Sequence, residues 1–192
     1  MHRLDAGGPG LDIVQQNNLV TIKTTSWGRA DNLVITVPHS SSLQLKTMSG
    51  GEIDVQGVDG EIEANSLNGR ITLHDVSGSV LAHALNGEIL AKLDRVDPSK
   101  PMAFSTLNGD IDVTLPDNAR ANLRMKTDHG EIFSDFDVKQ IAGSPIVRED
   151  GGEDHGGHRI RVDQTLRGLI NGGGPEYQFT TLNGQIYIRK RK

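Results

Sequence analysis

Cysteine is absent from the 192-residue chain. That excludes a disulfide scaffold and thiolate metal sites. Aromatic residues make up only 4% of the sequence, so large rings cannot fill most of a core. Hydrophobic residues reach 35%, less than a compact domain usually carries. No apolar run approaches the ~20 residues that a membrane-spanning helix needs. Basic charge is not in excess either. The formal net charge is -5, which makes nucleic acid a poor partner. Met1 to Gly10 carries no apolar segment of the signal-peptide kind.

Glycine is plentiful, with 23 residues, and it is ordered. Gly51, Gly60, Gly69, Gly78 and Gly87 stand nine residues apart. Each is followed by an alternating segment such as Glu52-Ile53-Asp54-Val55 or Arg70-Ile71-Thr72-Leu73. A fixed period marks a repeat architecture, and alternation marks strands with one buried face. In the unit around Gly69, Leu67, Ile71 and Leu73 share one parity and are expected inside. Asn68, Arg70, Thr72 and His74 share the other.

The closer match is between alternate units. Leu67-Asn68-Gly69-Arg70-Ile71 repeats eighteen residues on as Leu85-Asn86-Gly87-Glu88-Ile89, and Val58-Asp59-Gly60 as Val76-Ser77-Gly78. Two main strands per coil explain this, with units n and n+2 stacked on one sheet about 4.8 Å apart. The expected columns are Ile53, Ile71 and Ile89; Val55, Leu73 and Ala91; a polar ladder of Asn68 and Asn86; and an outward series of alternating sign, Glu52, Arg70 and Glu88.

Residues 1–10 read as a disordered lead or tag, and 11–192 as one solenoid domain. Leu11 to Val14, Leu19 to Thr24 and Leu33 to Val37 alternate as strands. Trp27 between them suits a cap over the open end of a stack, which would otherwise expose its core. Asp94 to Pro101 is a charged, proline-bearing surface insertion. The motif returns at Thr106-Leu107-Asn108-Gly109-Asp110-Ile111. Val113-Thr114-Leu115-Pro116 echoes Ile35-Thr36-Val37-Pro38, so the chain repeats on a second scale. A flexible acidic Gly/His loop is expected near residues 143–158. The last unit ends in Arg189-Lys190-Arg191-Lys192, charges suited to blunting a final strand edge.

The recurring T-x-N-G-x-I-x-V unit, the Val-Pro and Leu-Pro strand ends, and the closing Thr180-Thr181-Leu182-Asn183-Gly184-Gln185-Ile186-Tyr187-Ile188 resemble the bacterial adhesin-like, or toastrack, family of β-strand repeats. The resemblance covers roughly residues 11 to 190. It implies a β-helix-like solenoid in an exported or membrane-tethered envelope protein, with members described as adhesins and some linked to envelope-stress sensing. It carries over no catalytic or binding residue.

The residues themselves offer few sites. His155, His158 and Asp154 are the best metal candidates, joined by Asp150 and Glu153. Imidazole and carboxylate can hold zinc, but the surrounding glycines suit a solvated loop as well. The nonapeptide calcium ligand set is missing. Asp54, Glu61, Glu63, Asp110 and Asp112 are outward carboxylates, and a pair at the right separation could hydrolyse a glycoside. No His, Arg or Lys cluster converges with them. His74 and His83 lie outward on consecutive units, expected on opposite sides. Leu81 and Leu90, also outward, suggest an apolar patch or contact with the insertion.

The sequence therefore predicts an all-β single-domain solenoid, a right-handed β-helix with two main strands per coil of about 18–22 residues. The expected role is a non-enzymatic binding or display module of the cell envelope, exported, periplasmic or at the surface, with no cofactor and no catalytic residue. Its partner would be an envelope protein or glycan, without nucleic acid and without a membrane span of its own. Two alternatives remain: an extracytoplasmic sensory domain that partners a membrane stress-response protein, and a carbohydrate-active β-helix enzyme.

Overall fold

The computed structural model describes residues 10–24, 32–48, 50–141 and 165–191. Trp27 and the segment with Asp154, His155 and His158 lie outside them. The chain divides into two compact units, residues 1–36 and 37–192.

The first unit holds a hairpin. Strand β1 (Leu11–Gln16) pairs antiparallel with β2 (Leu19–Thr24) in a two-stranded sheet of its own. The two-residue loop Asn17-Asn18 has φ of 49 and 62, positive at both central positions as the tight hairpin turn requires. Leu33 to Val37, expected as a third strand, makes no strand ladder, and Val34 is 90% exposed. Alternation supplies only one side of a ladder, and a strand also needs a partner edge.

The second unit is all strand among the described residues. Its elements are β3 (Leu43–Thr47), β4 (Ile53–Gln56), β5 (Asp59–Asn68), β6 (Ile71–Asn86), β7 (Ile89–Val96), β8 (Met102–Asn108) and β9 (Ile111–Leu115). They continue with β10 (Ala121–His129), β11 (Ile132–Ser134), β12 (Lys139–Gln140), β13 (Leu166–Ile170), β14 (Glu176–Asn183) and β15 (Ile186–Lys190). Two parallel rows make up most of the sheet, with β13 and β12 joined antiparallel beyond β10. One row runs β3, β5, the second half of β6, β8, β14 and β10. The other runs β4, the first half of β6, β7, β9, β15 and β11. Strand β6 belongs to both and bends at Asp75, whose φ is 52, where its register with β7 shifts.

The eighteen-residue period is visible in the register. Ile53 pairs with Ile71 and Ile71 with Ile89; Val55 pairs with Leu73 and Leu73 with Ala91. These six side chains are buried and belong to one hydrophobic cluster. The parity does not run through the corner, however. In β5 the buried residues are Ile62, Ala64 and Ser66; beyond the corner they are Ile71 and Leu73. Leu67, expected inside, is 41% exposed. The turn at Asn68-Gly69 takes up an odd number of residues, so the inward set changes from even to odd.

The corner also explains the T-x-N-G motif. A Cβ on Gly69 would stand 2.3 Å from the carbonyl oxygen of Gly51, and one on Gly87 2.2 Å from that of Gly69. Only glycine allows neighbouring backbones this close. The Thr three residues earlier points inward and binds the adjacent corner: Thr106 Oγ1 donates to the Gly87 carbonyl at 2.9 Å. Gly60 and Gly78 differ. They lie within β5 and β6, face each other in register and pack as tightly, so alternate glycines of the nine-residue series do different work.

The end of the chain overturns one expectation. The closing unit does not form the final edge. Strand β14 lies between β8 and β10, and β15 between β9 and β11. Like stacks on like: Phe179 on Phe104 with ring centroids 5.3 Å apart, Thr181 opposite Thr106, Asn183 opposite Asn108. The degenerate unit Asp128-His129-Gly130 is pushed one place outward. Buried Phe136 and the antiparallel strand β13, with β12 beside it, lie at that end.

Candidate functional site

Insertion of the last coil assembles an outward cluster. On the outer face of the β9–β15–β11 ladder, Asp112, Tyr187 and Phe133 are register partners in a row. The Tyr187 and Phe133 rings stack with centroids 5.1 Å apart and planes 11° from parallel. Phe133, on the shorter strand, is 43% exposed. The Arg189 guanidinium lies 4.9 Å from the Tyr187 ring centre. Its Nε donates to both carboxylate oxygens of Asp112, at 2.8 and 2.9 Å. That hydrogen bond and the charge behind it hold the Arg189 pKa above its ordinary value. The Tyr187 hydroxyl donates to Gln185 Oε1, and Asp110 Oδ1 accepts the Gln185 backbone N–H at 2.7 Å.

Stacked rings, a ring-faced cation and a fixed carboxylate form a preorganised, amphipathic surface. Such a surface offers apolar contact and hydrogen bonding without ordering floppy side chains first. Its carboxylates, Asp110 and Asp112, are both hydrogen-bonded within the cluster.

The sequence-singled carboxylates are mostly engaged elsewhere. Glu61 is paired with Lys100 of the insertion. Glu63 accepts from Gln44 Nε2 at 3.1 Å and from Asn65 Nδ2 at 3.0 Å. Asp110 and Asp112 are held as above, and Asp54 stays exposed on β4. No group of three or more His, Asp or Glu side chains suited to a metal occurs among the described residues. His155, His158 and Asp154 lie outside those residues. His83 is exposed and its Nδ1 lies 2.7 Å from Ser105 Oγ. His74 belongs to the other row, opposite Gln56. Leu81 and Leu90 also fall on different rows, opposite Glu63 and Thr72, so they do not form one patch.

A concavity lies between the insertion and the loop after β9. It is a shallow groove of about 380 Å³ lined by Asp94, Arg95, Pro98, Pro116, Asn118 and Arg120, among others. Arg95 is tied to Asp59 at 2.5 Å, and Asp94 to Arg191. Ser99 binds Asp97 through both its hydroxyl and its backbone N–H, which lowers the Asp97 pKa. The buried Tyr177 hydroxyl has no hydrogen-bond partner among the described residues. Burial, with the Asp97 charge adding, pushes its pKa up to about 12.

Sequence reasoning passed over Phe133 and Tyr187. A signal existed, since both take the same outward place in their units, Gly130-Glu131-Ile132-Phe133 and Gly184-Gln185-Ile186-Tyr187. Their contact could not be read, because 54 residues separate them (133 to 187).

The all-β architecture, its glycine-cornered parallel rows and its short outward ladders define a toastrack-type β-repeat domain. The family described as Toastrack DUF4097 has a sequence model that matches residues 40–165, and the chain belongs to that family. The inserted coil β14–β15 falls beyond the matched stretch. No curated protein and no solved structure matches the chain.

Proposed function

We propose that this domain is a non-enzymatic binding or display module of the cell envelope, adhesin-like in its use of a rigid strand face. The single observation that carries this reading is the Phe133–Tyr187 stack, with Phe133 exposed, Tyr187 half-buried, and Arg189 and Asp112 beside it. The ligand is a glycan or an envelope protein presenting apolar and polar groups together. An exported, periplasmic or surface location rests on the resemblance to envelope proteins. The rows wind as a right-handed β-helix, the hand that parallel crossovers adopt in nearly every sheet.

A protein partner, as in a sensory domain, is favoured by a different observation. Met48, Leu67 and Leu107 are exposed in the residue preceding the corner on three coils.

The test is a binding screen of the purified protein against glycan and cell-wall panels, with and without EDTA, alongside Phe133→Ala and Tyr187→Ala. A hit that survives EDTA, forms no product and is weakened in both variants supports the proposal. Turnover of a glycan overturns it in favour of an enzyme. Binding indifferent to both substitutions removes the aromatic face as the site.

A further inference from the structure

The two rows end differently at the β10–β11 coil. Beyond β10 the sheet goes on through β13 and β12. Beyond β11 no strand is paired among the described residues. The backbone bonds show which groups that leaves. Ile186 N–H donates to the Glu131 carbonyl at 3.0 Å, and Asp135 N–H to the Ile188 carbonyl at 2.9 Å. In a parallel ladder alternate residues bond to the same side. Glu131, Phe133 and Asp135 therefore bond toward β15. Ile132 and Ser134 turn their N–H and C=O groups away from it. Ser134 Oγ accepts the Phe136 N–H at 3.1 Å, and Phe136 turns into the core. Backbone groups of this kind need partners, and an edge that presents them is a template for an added strand.

The side chains along the edge add a sequence preference. Glu131, Phe133 and Asp135 alternate outward on one face, and all three are exposed. The stack that begins at Arg189 and passes through Tyr187 ends at Phe133, on the last strand of the row. No ion pair neutralises Glu131 or Asp135 among the described residues. Arg189 is already held by Asp112. Lys190 alternates to the other face, where its Nζ stands 5.0 Å from the Phe136 ring centre. The edge thus offers acid, ring and acid at alternate places. A strand laid beside it stacks an apolar or flat side chain on Phe133 and sets bases opposite Glu131 and Asp135.

We propose that β11 is a docking edge for an extended segment of a partner protein, with two basic residues flanking an apolar or aromatic one at alternate positions. The proposal rests on the binding reading of the Phe133–Tyr187 face and narrows its ligand to a strand. Backbone pairing at Ile132 and Ser134 supplies affinity, and the outward acid–ring–acid series supplies selectivity. A sugar ring can stack on Phe133, but an extended backbone also matches the alternate donors and acceptors beside it.

Three capped heptapeptides test this on the full chain, each with threonine at the odd positions. The first has lysine, phenylalanine and lysine at the even positions. The second replaces lysine with glutamate, and the third replaces phenylalanine with alanine. Amide spectra of the isotope-labelled protein follow each titration. The first peptide is expected to shift Ile132 and Ser134 most and to slow exchange of their amides with solvent. The other two should bind roughly tenfold more weakly. Phe133→Ala should weaken the first peptide by a similar factor. Glu131→Lys should instead prefer the glutamate peptide, a reversal that misfolding does not produce. N-methylation of alternate peptide residues should abolish binding in one set and spare it in the other, because one side of an added strand faces β11. Equal tolerance of both sets, shifts away from β11, or no binding would overturn the strand proposal. A glycan hit weakened by Phe133→Ala, without peptide binding, also overturns it but leaves the binding module itself standing.

Discussion

Asn183 donates its side-chain amide to Asn108 Oδ1 across 2.7 Å, although 75 residues separate the two in sequence. The bond continues a ladder in which Asn108 donates to Asn86 at 2.7 Å and Asn86 to Asn68 at 2.9 Å. His129 takes the next register place after Asn183. The ladder therefore crosses from the regular array into the inserted coil and ties the chain's last segment to its middle.

Asn86→Ala and Asn108→Ala each remove two of these bonds, and Asn68→Ala removes one. Because the side chains are exposed, each bond contributes only about 0.5–1.5 kcal/mol net. Denaturant titration should show a larger loss for Asn86→Ala and Asn108→Ala than for Asn68→Ala. Equal losses would mean the ladder does not act as a connected series.

The two kinds of glycine should part company under substitution. A Cβ on Gly87 would meet the Gly69 carbonyl oxygen at 2.2 Å, while one on Gly57 meets nothing within 4 Å. Gly57 has a φ of 68, so Gly57→Ala carries only the cost of a left-handed alanine, about 1–2 kcal/mol. Gly87→Ala must push coils apart and should cost several times as much, or prevent folding. Thermal melts of the two variants make the comparison.

Burial and surface pairing give a second contrast. Ile71 is fully buried between Ile53 and Ile89. Ile71→Asp places an unpaired carboxylate there and should cost several kcal/mol. Arg70 Nε pairs with Glu88 at 3.1 Å on the surface. Arg70→Glu exchanges that attraction for repulsion and should cost on the order of 1 kcal/mol. A parent-like melt for Ile71→Asp would show that the inward column is misassigned.

Alkaline pH should destabilise the fold through Tyr177. Its phenol is pushed from the usual 10.0 up to about 12 by burial, with Asp97 adding. A raised phenol pKa means the folded state holds its proton more tightly than the unfolded state. The stability this contributes is complete below about pH 10 and is lost as pH rises through about 12. Tyr177→Phe removes the titrating group. Its melting temperature should fall less steeply than the parent's over that window. Parallel curves would assign the alkaline loss to other groups.

The sequence alone determined the all-strand class, the eighteen-residue register and the pairs Ile53–Ile71–Ile89 and Asn68–Asn86. These depend on neighbours one coil apart, whose identity is carried by a short period and by local backbone sterics. Tertiary structure decided the rest. Leu67 faces outward because the corner consumes an odd number of residues, a geometric fact that alternation does not encode. Leu33 to Val37 alternates like a strand and has no ladder, because pairing depends on an edge elsewhere. Tyr187 meets Phe133 because β15 enters a slot between β9 and β11 instead of extending the stack. Near-identical units such as Thr106-Leu107-Asn108-Gly109 and Thr181-Leu182-Asn183-Gly184 can stack in any order that matches side chains. The repeat fixes which residues can be neighbours; burial of both slot edges at once selects the order in which the coils lie.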